Sequence, residues 1–137
     1  MARSLSGLLA LILGANGIAM LFAGLWWYGQ VPGVTATGPY NPHFVRDIGA
    51  AYLATAAALA GFAARPRQAW PALVPAALFL TLHSAIHVFD AVCGTKPFAD
   101  TVRDFAGVHL PTLITLGLAL AAGRQDRKET THAQGLA

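Results

Sequence analysis

Three side chains that can bind a metal ion or move a proton lie close together in the sequence. His83, His87 and Asp90 stand at positions i, i+4 and i+7 of an apolar stretch, and this spacing places all three on one face of an α-helix. Imidazole and carboxylate groups are costly to bury in an apolar environment unless they have partners. We therefore expect these three residues to mark a functional site.

A transition metal is the first hypothesis for this site, because imidazole and carboxylate groups suit zinc, iron, manganese or copper. His-x-x-x-His is the spacing with which a helix presents two imidazoles to one ion, although no glutamate completes the zinc-protease motif. Asp90 is expected to be a third ligand or to orient one imidazole. His43 and Asp47 are expected to add ligands from a second helix, with Arg46 holding the carboxylates or attracting an anionic substrate.

Haem b is an alternative cofactor. Four-helix membrane cytochromes hold haem between histidines that face each other from different helices. His83 or His87 together with His109 would supply such a pair. The neighbouring carboxylates suit a small cation better than a porphyrin, so the metal ion is preferred.

The polar cluster has an alternative interpretation in which it binds no cofactor and is purely structural. Asp90 would then pair with Arg46, and the histidines would be hydrogen-bonded packing groups. The sequence pairs Arg46–Asp47 and Arg103–Asp104 near the predicted helix starts are most simply ion pairs and partners of the helix dipole. In that case the protein is a non-catalytic accessory subunit. Handling of a proton or a substrate without a metal is a further interpretation.

The composition indicates an integral membrane protein. Of the 137 residues, 55% are hydrophobic and 11% charged, whereas a soluble domain carries about 25% charged residues. The first 45 residues hold one charged side chain, Arg3. The positions of the positive charges therefore bear on the orientation of the protein in the membrane. The net charge of +3 gives no indication of nucleic-acid binding. The single cysteine, Cys93, excludes an internal disulfide.

Four stretches are long enough to cross a bilayer, which takes ~20 helical residues. They cover residues 5–28, 44–64, 70–93 and 101–122. We predict an all-α fold, a four-helix antiparallel membrane bundle that forms one domain over residues 1–123. Residues 124–137 are polar and lack an apolar period, so we predict a disordered tail.

The positive charges predict the orientation of this bundle. Most fall on one side of the predicted spans, namely Arg3, Arg65, Arg67, Arg124, Arg127 and Lys128, while Arg46, Lys96 and Arg103 fall on the other. Both termini should therefore be cytoplasmic, with the bundle in the inner (cytoplasmic) membrane of the cell. Nearly every ionisable group within the spans then lies toward the outer side, which predicts a polar pocket open to that side.

The sequence also contains a weak internal repeat. Residues 45–49 (VRDIG) align with residues 102–106 (VRDFA), and each copy opens a helix that runs from outside to inside. The simplest interpretation is a duplicated helical hairpin with a pseudo-twofold axis along the membrane normal.

The second predicted helix resembles a known family. Residues 46–54 (RDIGAAYLA), followed by Ala64-Arg-Pro at the inner end, resemble the DoxX-like group of small bacterial four-helix membrane proteins. The resemblance covers mainly the first two helices and transfers no catalytic residue. It implies a redox or accessory role, because some members of this group are associated with quinone-linked oxidoreductases.

We therefore expect a small membrane protein with a His/Asp metal or redox site, associated with an oxidoreductase. His83 and His87 are the predicted ligands. Lipid, other membrane subunits and quinone are the expected partners. A transporter is less favoured, since the inner half lacks the polar residues of a through-path.

Overall fold

The computed structural model describes residues 1–94 and 97–134, and every regular element in this part of the chain is helical. The elements are, in order, α1 (Ala2–Phe22), α2 (Gly24–Gln30), a 3-10 turn (Val34–Thr37), α3 (Pro42–Ala64), α4 (Pro66–Ala69), a second 3-10 turn (Trp70–Ala72), α5 (Leu73–Val92), α6 (Phe98–Asp104), a π-helical segment (Phe105–His109) and α7 (Leu110–Gln134). The prediction of an all-α fold is confirmed. Lys96 and residues 135–137 lie outside the described residues.

Within this described part of the chain, four helical stretches are long and apolar enough to cross a membrane. They are Ala2–Phe22, Pro42–Ala64, Pro66–Val92 and Phe98–Gln134. Large apolar side chains such as Leu11, Ile86 and Leu113 are more than half exposed on their outer faces, as expected for helices whose solvent is lipid. The fold is that of a multi-pass membrane protein.

The helices pack as two antiparallel hairpins. α1 packs mainly against α3, α5 packs against α7, and α3 joins the hairpins through its contact with α5. Glycines allow the closest approach between α1 and α3, because a Cβ atom on Gly17 would lie 2.7 Å from the carbonyl oxygen of Gly49. Small residues at helix contacts are the usual means of close packing in membranes. The pairing is the one a duplication would produce, and the duplication itself stays a prediction.

The two ends of the bundle differ in character. At one end, the Arg3 guanidinium donates to the carbonyl oxygens of Ala63 and Ala64, at 2.8 and 3.2 Å, and so caps the last turn of α3. Gly123 of α7 packs there against the ring of Trp70. We call this the basic end. The opposite end, where α3 and α6 begin, contains a cavity, and we call it the cavity end.

Asn41 fixes the start of α3. Its side-chain oxygen accepts hydrogen bonds from the backbone N–H groups of His43 and Phe44, at 3.0 and 3.3 Å, as an N-cap residue does. Pro42 follows in the first turn, where its missing N–H costs nothing.

The first predicted span differs from the structure at its end. The helix predicted over residues 5–28 is interrupted at Ala23, whose φ of −132° and ψ of 36° are not helical. The interruption turns α2 so that Trp27 reaches Asn16 of α1 across the turn, with 2.8 Å between Nε1 and Oδ1. Hydropathy alone does not signal this break.

The fourth span contains a π-helical segment, Phe105–His109, before Pro111. The Leu110 N–H donates to the carbonyl oxygen of Phe105, five residues earlier. Pro111 has no N–H and its ring crowds the preceding turn, so a wider turn ahead of it relieves this conflict. Such insertions are frequent at functional sites.

The C-terminal region also differs from its prediction. The tail expected to be disordered from Arg124 onward continues α7 to Gln134. Arginine, glutamine, lysine and glutamate are good helix formers. The hydroxyls of Thr130 and Thr131 donate to the carbonyl oxygens four residues earlier, at 2.9 and 3.0 Å. Polarity alone therefore did not predict the conformation of this segment.

Candidate ligand-binding site

A histidine and a carboxylate form the central contact of the site. His87 Nδ1 of α5 lies 2.8 Å from Asp104 Oδ2 at the end of α6, and their side chains are only 21% and 13% exposed. A carboxylate can only accept a hydrogen bond, so Nδ1 carries the proton and donates. This hydrogen bond fixes the orientation of the imidazole. It uses Nδ1, and Nε2 is the other ring nitrogen.

Arg103 holds the same carboxylate from the other side. Its Nε donates to Asp104 Oδ1 at 3.1 Å, and its Nη1 donates to Asp100 Oδ1 at 2.8 Å. Both oxygens of Asp104 are therefore occupied, one by Arg103 and one by His87. The chain Asp100–Arg103–Asp104–His87 holds the imidazole in place.

Two further imidazoles, those of His83 and His109, lie next to the ring of His87. The ring of His83 contacts that of His87 edge to face, with 5.0 Å between centroids, and stacks on Phe79 at 5.9 Å. The ring of His87 lies 6.3 Å from that of His109. The predicted shared face of His83 and His87 is thus present, and Tyr52 of α3 packs against His83 at 5.8 Å.

His109 lies in the π-helical segment. It is 9% exposed, and its Nδ1 lies 2.7 Å from Ser84 Oγ of α5. Its Nε2 is buried without a hydrogen-bond partner. One turn later, the Thr112 hydroxyl lies 3.1 Å from the Leu80 carbonyl oxygen. These polar contacts join the second hairpin, independently of any ligand.

A cavity of about 610 Å³ adjoins His83 and His87, and a volume of this order suits a small molecule. It lies among α1, α2, α3, α5 and the start of the fourth span. Its walls are largely apolar, with Val45 and Ile48 from α3. Its polar lining includes His87 and Asp104 on one side and Asn16 on another. The cavity therefore combines an apolar interior with a few fixed polar groups.

A loop lines the cavity at the cavity end. We call residues 31–39 the roof segment, since most of its residues line the cavity. Gly33 has a φ of +84° and leaves no room for a Cβ, because the guanidinium of Arg103 packs against it. The Tyr28 hydroxyl donates to the carbonyl oxygen of Gly38. Arg103 thus supports both Asp104 and the roof segment.

The α3 residues predicted to complete the site lie elsewhere. His43 Nε2 lies 3.4 Å from Asp47 Oδ2, but their side chains are 81% and 58% exposed, and Arg46 is exposed as well. His43 and Asp47 each lie two residues from Val45, a rotation of about 200°, so they fall on the side of α3 away from Val45. Asp90 is half-buried and is not among the described residues that line the cavity.

The predicted metal site is not assembled by these side chains. Within residues 1–94 and 97–134, no group of three His, Cys, Asp or Glu side chains is arranged to hold a metal ion. Metal binding by His83, His87, Asp90, His43 and Asp47 therefore stays a prediction without an assembled ligand set. Haem between His109 and His83 or His87 also stays a prediction.

Several residues of the site were missed or assigned a different role. Asp104 was predicted as a supporting residue of the site and as an ion-pair partner of Arg103, whereas its direct contact with His87 was not predicted. The internal repeat could have drawn attention to it, because Asp104 aligns with Asp47. Asn16 and Trp27 had no comparable signal, since the break at Ala23 brings them together.

Comparisons of the chain with protein-family models, with curated proteins and with solved structures find no match. The resemblance to the DoxX-like group stays a prediction.

Proposed function

We propose that this protein binds a small, partly apolar carbonyl compound in the cavity and exchanges a proton with it through His87. The observation that carries the proposal is the His87–Asp104 pair at 2.8 Å on the wall of a cavity of about 610 Å³. Carboxylate-oriented imidazoles are general acids and bases in many enzymes, because the carboxylate fixes the ring and stabilises its protonated form.

The two protonation states of His87 suit two forms of one ligand. When the ring is protonated, Nε2–H donates a hydrogen bond to a carbonyl oxygen. When the ring is neutral, with its proton on Nδ1 facing Asp104, Nε2 accepts a hydrogen bond from a hydroxyl. The two states of His87 can therefore bind both forms of a ligand group that interconverts between carbonyl and hydroxyl. Quinones and quinols are membrane-soluble compounds of this kind.

We propose an accessory role beside an oxidoreductase on this basis. Reduction of a quinone takes up protons together with electrons, and His87 would supply or receive a proton. The electrons would come from a partner redox protein. The resemblance of residues 46–54 to the DoxX-like group supports this proposal independently of the cavity.

We further propose that the basic end faces the cytoplasm and that the cavity end faces the outside of the inner membrane. Arg3, Arg65, Arg67 and Arg124 lie at or next to the basic end, and such an excess of positive charge is typical of cytoplasmic loops. The cavity would then receive its ligand from the outer leaflet.

Binding of menadione, a small naphthoquinone, to the detergent-purified protein tests the proposed function. Trp27 lines the cavity, so binding should quench tryptophan fluorescence. His87→Phe removes the proton-exchanging group, and we expect the affinity to fall about tenfold or more, as for loss of one strong hydrogen bond. His43→Phe is the matched control, since His43 is exposed, and should bind like the native protein. Absence of quenching in the native protein, or equal affinities in both variants, would contradict the proposal.

A structural role of the polar cluster is the second candidate function. The contacts of Ser84 with His109 and of Thr112 with Leu80 join α5 to the fourth span without any ligand. In that case His87→Phe lowers stability or partner assembly and has no ligand-binding phenotype. Co-purification with partner subunits, compared between His87→Phe and His43→Phe, separates this role from ligand binding.

A further inference from the structure

We propose that Asn16 is a second ligand-binding residue, so that the ligand carries a hydrogen-bond acceptor at each of two opposite edges. This inference rests on the proposed function of the cavity. It adds an anchor on the wall opposite His87 and restricts the chemical class of the ligand.

The orientation of the Asn16 amide is set by Trp27. The indole N–H can only donate, and it lies 2.8 Å from Asn16 Oδ1. The amide oxygen therefore faces the indole, and the amide nitrogen faces away from it. Asn16 and Trp27 both line the cavity.

The amide nitrogen of Asn16 has a weak partner within the protein. Nδ2 lies 3.6 Å from Met20 Sδ, and a thioether sulfur is a weak acceptor. The amide carries two N–H donors, so at least one has no strong acceptor in these contacts. An amide donor within a membrane-spanning helix is costly to leave without one. A ligand oxygen in the cavity would satisfy it.

The bundle places Asn16 and His87 on opposite walls. α1 contacts α3 and α7, and α5 contacts the same two helices, so α1 and α5 lie diagonally across the bundle. A ligand between these helices meets the Asn16 amide on one edge and His87 on the other. The lining between them includes Val45 and Ile48 of α3, which favours an apolar ring. A flat ring with two opposite carbonyl groups has this pattern, whereas a fatty acid has one polar end.

Two small ligands, menadione and tetralone, distinguish binding through His87 alone from binding through both His87 and Asn16. Menadione carries carbonyl groups on opposite edges of its ring, and tetralone is a ring of similar size with one carbonyl group. Asn16→Leu removes the amide donor at similar volume. We expect it to weaken menadione binding about tenfold, as for loss of one hydrogen bond to a buried group, and to leave tetralone binding unchanged. Unchanged tetralone binding also shows that the cavity is intact.

Asn16→Gln is the conservative variant. It also controls for a loss of affinity in Asn16→Leu that is caused by misfolding. It retains an amide donor, so we expect it to recover part of the menadione affinity lost in Asn16→Leu. Equal menadione affinity in the native protein and Asn16→Leu, with weaker binding by His87→Phe, would overturn the second anchor and leave the proposed function standing. If the native protein binds neither probe, the proposed function fails, and the second anchor fails with it.

Discussion

Asp104 is the residue on which the orientation of His87 depends. One of its oxygens accepts from the imidazole and the other from Arg103. A hydrogen bond that involves a carboxylate is stronger than one between two neutral groups, so Asp104 holds the imidazole of His87 firmly in place. The proposed proton exchange therefore requires the charge of Asp104 as well as its position.

Asp104→Asn tests the charge separately from the shape. We expect menadione affinity to fall about tenfold, because a charge-assisted hydrogen bond is lost while the side chain keeps its size. Asp47→Asn is the matched control, since Asp47 occupies the aligned position of the first hairpin and is exposed. Fluorescence titration with menadione measures both. Equal effects of the two substitutions would show that the carboxylate of Asp104 has no special role.

Ser84 is the residue that satisfies buried His109. Ser84→Ala leaves His109 Nδ1 without its partner, in addition to Nε2. We expect the free energy of unfolding to fall by about 1–3 kcal/mol, the usual cost of an unsatisfied buried polar group. Ser4→Ala, at an exposed position of α1, should leave stability unchanged. Unfolding in mixed detergent micelles measures both, and a stable Ser84→Ala variant would show that the contact contributes little.

At the scale of elements, the glycine contact between α1 and α3 sets the geometry of one cavity wall. Gly17 and Gly49 bring these helices to a distance that no side chain at either position allows. Asn16 lies next to Gly17 in α1. The position of Asn16 on the cavity wall therefore depends on the contact between Gly17 and Gly49.

Gly49→Ala should separate α1 from α3. Its Cβ would lie 2.8 Å from the Cβ of Met20, so we expect destabilisation of about 1–3 kcal/mol, as for overpacking elsewhere. Gly117→Ala is the control, because no atom lies within 4 Å of its added Cβ. That substitution should be neutral or stabilise the protein by up to about 1 kcal/mol. The same unfolding measurement separates them, and equal stabilities would contradict the close contact.

Some elements were predictable from the sequence and others were not. The four spans follow from apolar length alone, and the start of α3 from Asn41 and Pro42. The break at Ala23 was not predictable, because it depends on Trp27 reaching across to Asn16. The π-helical segment was only partly foreseeable, since Pro111 signals an irregular turn and does not specify its kind.

The site itself shows the same limit. Helical spacing correctly placed His83 and His87 on one face. The same spacing suggested that His43 and Asp47 would join them, and the rotation of α3 about its axis places this pair outside. That rotation follows from tertiary contacts of Gly49 and Tyr52, and the local sequence does not determine it.

At the scale of the whole molecule, the two ends of the bundle predict its orientation. Cys93, the only cysteine of the sequence, is exposed just after α5, at the cavity end. Ser4 is exposed at the start of α1, beside the basic end. The two positions report on opposite sides of the membrane.

Labelling with a membrane-impermeant maleimide tests this orientation in intact spheroplasts. We expect Cys93 of the native protein to be labelled from outside, because the proposed orientation places the positively charged end in the cytoplasm. The variant Cys93→Ser with Ser4→Cys should be labelled only after the membrane is permeabilised. Labelling of Ser4→Cys in intact spheroplasts, with protection of Cys93, would reverse the orientation.

The measurement that bears most directly on the proposed proton exchange is a crystal structure of the protein with menadione bound. We predict the ring inside the cavity, with one carbonyl oxygen about 3 Å from His87 Nε2 and His87 Nδ1 still bonded to Asp104. Menadione bound outside the cavity, or inside it with His87 Nε2 bonded to a protein group, would contradict the account.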